Sequence, residues 1–437
     1  MSEYKETIRL FDAEPYQTQF TAVILDVRPG KRPGTADAVL DETLFFPEEG
    51  GQTPDRGVLA GFPVVDVQID QANVITHTLD VSGGDPHALA PGQTVTGSIN
   101  WAHRYSNMQN HSGEHVLSGL LHSIYGYENV GFRLSDNTVT LDTSGHLTQE
   151  QLFDLETKAN EVVWRNVPIT CEYPPSEILK DLSYRSKKEI DGAVRIVTIE
   201  GVDVCACCAP HVGRTGEIGL IKILSAINSR GGSTRITLVC GARALQQVQL
   251  AQTQLETASH LMNEPQESVA EGVRRLQNEI AALKMQCREA EQRLIDAELQ
   301  RIRAAAPSGE IIGRQDCWIF EGELSVLGQR AFMNRLCDMG WRYAGVFCGS
   351  DGDAFQADSP GQENRSPSSG PSSWKYLIGS RSADARIPNS VLKETFKARG
   401  GGKPDMVQGT VPARQEEIRR ALDNNAPASV QRAEQIQ

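Results

Sequence analysis

The 437-residue chain has no apolar run near the length of a membrane span. Its longest, such as Ile218 to Leu224, fall far short of the roughly 20 residues a membrane helix needs. An apolar leader is also missing, because Met1 to Leu10 carries charges where a secretory signal would be hydrophobic. Nor is there a disulfide framework. Nine cysteines are an odd number, Cys205, Cys207 and Cys208 are crowded together, and disulfide scaffolds belong to much smaller chains. Together these absences predict a cytoplasmic protein with reduced or metal-bound thiols and no membrane partner. An excess of positive charge is lacking too. The formal net charge of −13 argues against a partner held mainly through its phosphates, yet the average hides two basic stretches. Residues 185–243 hold nine Lys/Arg against five Asp/Glu, and residues 375–420 hold ten against five. Both stretches are compatible with RNA binding and equally with a solvated surface.

The composition itself is globular, 39% hydrophobic and 23% charged, in a chain long enough for about two to four domains. From Arg9 to about Ile99, short alternating runs (Phe20 to Val27, Val64 to Ile69, Val95 to Ile99) are separated by Pro/Gly/Asp clusters, which predicts a small antiparallel barrel over 1–100. Residues 101–241 mix periodicities. Helices are expected over Asn107 to Tyr125 and Thr148 to Val163, with strands near Val139 to Asp142, Val194 to Ile199, Gly219 to Leu224 and Arg235 to Cys240, an α+β layer structure. A helix over about Ala242 to Met262 is cut off by Pro265. Beyond it Val269, Val273, Leu276, Ile280, Leu283, Cys287, Ala290, Leu294 and Ala297 recur at spacings of four and three, the seam of a coiled coil within a helical linker over 242–306. After Pro307 strand-like runs (Ile311 to Phe320, Ala344 to Gly349, Tyr376 to Ser380) alternate with helical ones (Gly328 to Met339, Asn389 to Lys397), an α/β domain over 307–437. Its Ser/Pro/Gly-rich segment 357–373 reads as a disordered loop. The fold class is therefore α+β and multidomain. Cys171, Cys240, Cys287, Cys317 and Cys337 sit in apolar settings and are expected to be buried.

Chemistry concentrates in two short strings. On the first helix His111-Ser-Gly-Glu114-His115 puts two imidazoles one turn apart on one face, where both can reach one metal ion. Cys205-Ala-Cys207-Cys208-Ala-Pro-His211 supplies a thiolate and a third imidazole. Three His and one Cys form a ligand set suited to one tetrahedral Zn²⁺. Four protein ligands would make the site structural and three plus water catalytic; spacing leaves both open, and Cys205 or Cys208 competes with Cys207.

These strings resemble the HxxxH and CxxxH of the editing domain of alanyl-tRNA synthetase and of the AlaX-type editing proteins. His111, His115, Cys207 and His211 fall on the family's four metal positions. The likeness extends to Arg214-Thr-Gly-Glu-Ile-Gly219, to Arg235-Ile236 with Cys240-Gly241 and Ala244, and to Phe45-Phe46-Pro47-Glu-Glu-Gly50-Gly51-Gln52 with Asp55-Arg-Gly57, which resembles the glycine-rich segment of the family's barrel. Gly400-Gly401-Gly402-Lys403-Pro404-Asp405-Met406-Val407-Gln408-Gly409 is similar to the signature of the DHH-associated C-terminal domain found in the long AlaX subtype. One departure is Cys207-Cys208-Ala209-Pro210-His211 where the family has Cys-Gly-Gly-Thr-His or Cys-Cys-Gly-Thr-His, so that Pro210 removes a backbone donor. Nothing before the barrel resembles an aminoacylation domain. The resemblance implies a zinc-dependent trans-editing hydrolase with one Zn²⁺ per chain, which deacylates mischarged tRNA(Ala), Ser-tRNA(Ala) and Gly-tRNA(Ala) in particular. Its site would be His111, His115, Cys207 and His211, with Glu114 positioning water, and a homodimer could form through the C-terminal region.

Two alternatives come from other classes. His111 to His115 also fits the HxxEH string of inverzincin metallopeptidases, with Glu114 as base, though that leaves Cys207 and His211 without a role. The other is a non-catalytic, zinc-stabilised tRNA-binding module.

Overall fold

Alternating burial along Gln19–Pro29, Thr35–Leu40 and Ile75–Asp80 turns one face of each strand inward, and in the computed structural model six strands close on themselves. Their order around the barrel is Gln19–Pro29, Thr35–Leu40, Ile75–Asp80, Phe62–Ile69, Gly57–Leu59, Thr94–Ile99, with every neighbouring pair antiparallel. The structure describes residues 5–84, 89–186, 193–229, 231–306, 315–351 and 372–424. The chain divides into two units, Met1–Leu261 and Met262–Gln437.

In the first unit the barrel core, built on Ile24, Leu40, Phe45, Phe46 and Leu59, abuts a layer of helices and sheets. The helix Trp101–Tyr125 begins at Asn100, whose side chain accepts from the His103 amide, and ends at Gly126 in the left-handed region. The helix Gln149–Arg165 has a capping box between Thr148 and Gln151. They pack on an antiparallel sheet ordered Ile221–Asn228, Thr234–Cys240, Val139–Thr143, Asn129–Leu134, and beside a three-stranded sheet of Ile169–Glu172, Ile196–Ile199 and Asp203–Ala206. Gly113 lets the first helix approach the sheet, because a Cβ there would lie 2.3 Å from the Cys240 sulfur.

The second unit begins with the helix Val269–Ala305, 37 residues long. Most of its heptad seam is exposed within this chain: Val273, Leu276, Ile280 and Leu283 are 41–51% accessible, and Ile295 and Leu299, off the expected register, are the buried contacts. Cys287 is correspondingly exposed, against the expectation of a buried thiol, since its stretch of helix has little core to enter. The sheet that follows is ordered Asp316–Glu321, Tyr343–Ser350, Ser373–Gly379, Met406–Val411, Arg399–Lys403. Only its first pair is parallel, bridged by the helix Val326–Asp338, so the expected α/β alternation holds for one crossover and the remainder is antiparallel. The glycine run Arg399–Lys403 is the edge strand of this sheet. Cβ atoms at Gly400 and Gly409 would fall within 2.5 Å of the Tyr376 hydroxyl, which donates to Asn389. Of the segment 357–373 expected to be a loop, 357–371 lies outside the described residues, and Ser373 already pairs with Ser350.

Candidate metal centre

His111 and His115 project from the helix Trp101–Tyr125, while Cys207 and His211 follow the strand Asp203–Ala206. These four side chains converge, one ligand atom from each lying within 4.8 Å of the others. The Nε2 atoms of His111 and His211 each stand 3.5 Å from Cys207 Sγ. A tetrahedron with metal–sulfur and metal–nitrogen bonds of about 2.3 and 2.0–2.1 Å has an S···N edge of about 3.5 Å, so the donors fit a zinc ion in type and spacing. The opposite ring nitrogens are all occupied. His111 Nδ1 meets Gln52 Oε1 at 2.7 Å, His115 Nδ1 meets Asp203 Oδ2 at 2.9 Å, and His211 Nδ1 meets Ser112 Oγ at 3.0 Å. The Gln52 amide oxygen and the Asp203 carboxylate accept, so His111 and His115 donate from Nδ1 and turn their Nε2 lone pairs inward, the tautomer a metal ligand needs. Asp203 is held in turn by Arg185, with bonds of 2.8 and 2.9 Å to its two oxygens.

Electrostatics support this reading. Burial drives His211 down to about 3, keeping it neutral. At Cys207 burial opposes ionisation, but the three imidazoles around it, His111 first, prevail and hold the thiol well below its usual range. At His115 burial is likewise outweighed by Asp203 and Cys207, and the ring is raised. A thiolate beside imidazoles is a set already prepared for a cation. Of the three crowded cysteines, Cys207 is the one grouped with all three imidazoles. Cys205 clusters with His115 and Asp203, and Cys208 faces Gly50, where a Cβ would lie 3.4 Å from its sulfur.

The loop carrying Cys207 is clamped from behind. Arg195, 5% exposed, donates to the Cys207 and Ala209 carbonyls at 3.1 and 2.8 Å and pairs with Asp12 at 3.6 Å. Pro210 is buried within this loop. Glu114 is 2% exposed and is not part of the four-ligand group. Its carboxylate accepts from Asn129 at 2.6 Å and from Ser118. Phe132 covers His111 with ring centroids 4.7 Å apart.

Sequence reasoning quoted Gln52 only as part of a glycine-rich string and missed Asp203, Ser112, Arg185 and Arg195. Asp203 carried a signal, since residues 203, 205 and 207 alternate onto one face of an extended segment. Gln52 and Ser112 carried none, because their partners are 59 and 99 residues away.

The first unit thus combines a closed barrel, a helix-and-sheet layer and a His₃Cys cluster. Residues 194–237 match the family described as the threonyl and alanyl tRNA synthetase second additional domain. The chain is 33% identical over 243 residues to the alanyl-tRNA editing protein AlaX-L of Pyrococcus horikoshii, covering 54% of this chain and 59% of that protein. It is also 30% identical over 313 residues to the alanine–tRNA ligase of Ignicoccus hospitalis, and 33% over 279 residues to that of Halobacterium salinarum. Those matches cover 69% and 60% of this chain but 33% and 29% of the ligases. The chain thus spans less than two thirds of the length of these relatives. The resemblance to AlaX-type alanyl-tRNA editing proteins read from the motifs is borne out. Among the described residues no helix is long and apolar enough to cross a membrane.

Proposed function

We propose that the chain is a zinc-dependent hydrolase that removes the wrong amino acid, serine and also glycine, from tRNA(Ala). The observation that carries this reading is the triple occupation of Nδ1 by Gln52, Asp203 and Ser112, which turns three Nε2 atoms toward Cys207 Sγ. His111, His115, Cys207 and His211 would hold the Zn²⁺, and with one of the four giving way to substrate or water the ion would polarise the ester carbonyl and make water a better nucleophile near neutral pH. The chain's own residues supply the rest. Gln52, Asp203 and Ser112 fix the ring orientations, Phe132 shields one face of His111, and Arg195 holds the thiol-bearing loop. Glu114, engaged by Ser118 and Asn129, is assigned to stiffening the ligand helix. The peptidase reading is disfavoured because it needs that carboxylate as a base and gives Cys207 and His211 no work.

The substrate follows from what a synthetase pocket for alanine cannot exclude. One methyl less or one hydroxyl more changes binding by about 10–200-fold, so mischarged serine and glycine need a second site. That site spares alanine if one of its polar groups is satisfied only by the serine hydroxyl, an unmet bond costing about 1–3 kcal/mol. We expect seryl-tRNA(Ala) to be hydrolysed about tenfold or more faster than alanyl-tRNA(Ala). Single-turnover deacylation of both esters checks this, and equal rates would refute selective editing.

The second unit is proposed to hold the tRNA body, on the strength of the ten basic against five acidic residues over 375–420. A chain ending at Leu261 should keep the chemistry but bind tRNA more weakly, with a shallower dependence on salt, because fewer phosphates are neutralised. Filter binding over a salt series reads this, and matching slopes for the two forms would assign the second unit another task.

A further inference from the structure

Six buried side-chain polar atoms lack a hydrogen-bond partner among the described residues, and three of them, Glu49 Oε2, Gln52 Nε2 and Thr53 Oγ1, fall within one five-residue hairpin. Unsatisfied buried groups are few in native proteins, and each asks for an explanation. This hairpin turns through Gly50 and Gly51, at φ 62° and 86°. It packs on Phe132, whose carbonyl oxygen would lie 2.7 Å from a Cβ at Gly51, and on Cys208 at Gly50. Through Gln52 it also touches His111. It therefore lies against the metal centre, and its orphaned atoms cluster there.

Glu49 is the charged member of the three. Its carboxylate lies beside the Cys208 thiol, which burial, then Cys207, then Glu49 itself push upward. That thiol is a weak donor and occupies one side of the group. Among the described residues no Lys, Arg or His forms an ion pair with Glu49. A carboxylate oxygen withdrawn from water without a donor is unfavourable, and a bound cation relieves it. An aminoacyl ester carries one positive charge, the α-ammonium, one carbon from the carbonyl that must sit at the metal centre. An uncharged acyl group offers Glu49 at most a neutral hydrogen bond.

We propose that Glu49 binds the α-ammonium of the aminoacyl group and restricts the site to esters of free amino acids. This inference rests on the deacylase reading above. Hydroxy-acid and N-blocked esters then leave Glu49 without a cation and bind more weakly, by about tenfold to a hundredfold, the range of a charge-assisted hydrogen bond.

The test uses the intact zinc-loaded chain and two amide-linked, non-hydrolysable 3′-amino-adenosine ligands, one seryl and one glyceryl, in which a hydroxyl replaces the ammonium. Calorimetry should show the native chain preferring the seryl ligand by about tenfold to a hundredfold. Glu49→Gln should erase that preference while glyceryl affinity and bound zinc stay unchanged; Glu49→Asp should recover part of it. A preference that survives in Glu49→Gln, an equal loss for both ligands, or no preference in the native chain overturns the proposal. Hydrolysis of seryl-tRNA by a native chain without the preference would overturn this inference alone. A chain that hydrolyses no aminoacyl ester would overturn the deacylase reading and this inference with it.

Discussion

His111→Ala and Cys207→Ala should each lose the bound zinc and, with it, ester hydrolysis. A cluster of four donors within 4.8 Å of one another has no spare ligand once one is removed, and an ion bound through three donors in a relaxed site is held far more weakly. The supporting residues make the prediction graded. Asp203→Asn leaves a side chain of the same size but weakens the 2.9 Å contact that sets the His115 tautomer, and substitutions at such supporting positions cost about 10–100-fold in metal affinity or activity. Cys205→Ala should retain zinc, because Cys205 groups with His115 and Asp203 and not with His111 or His211. Metal analysis of the four variants is decisive. Zinc retained in Cys207→Ala and lost in Cys205→Ala would move the thiol ligand by two positions.

The largest effect on stability is expected away from the metal, at Arg104 and Asp55. Both side chains are fully buried. Arg104 Nε contacts the two Asp55 oxygens at 3.0 and 2.9 Å, and its Nη1 donates to the Pro15 carbonyl at 3.1 Å; Asp55 also accepts from the Phe46 amide at 2.7 Å. The pair joins the ligand helix to the barrel. Removing one partner strands a buried charge, so Arg104→Ala should destabilise the chain by about 3–5 kcal/mol. Urea unfolding followed by tryptophan fluorescence reads the change, and a loss under about 1 kcal/mol would show that water or another group reaches Asp55. On this account the Asp of the Asp55-Arg-Gly57 string fastens two layers and takes no part in the reaction.

How far the sequence discloses this arrangement depends on the range of each interaction. The ligand helix and its two imidazoles are legible because a spacing of four is a local property of the α-helix, and the barrel is legible because alternation is local to a strand. The Nδ1 partners are not, since each joins residues 59 to 99 positions apart. The same limit explains Cys287. Its heptad position implies burial, but burial needs a neighbour that packs over it, and among the described residues Cys287 stays exposed. The edge strand Arg399–Lys403 was hidden for the opposite reason. A run of glycines carries no side-chain alternation, and only the Tyr376 hydroxyl packed against Gly400 and Gly409 shows why a strand there excludes side chains.

The central claim joins the metal cluster to hydrolysis, and one titration tests it. Zinc is stripped from the intact chain with a chelator, restored stepwise, and single-turnover hydrolysis of seryl-tRNA(Ala) is measured at each step. The account predicts almost no hydrolysis in the stripped protein and recovery that rises linearly to a break at one equivalent of zinc. Full activity in metal-free protein, or full zinc occupancy with no hydrolysis, would contradict it.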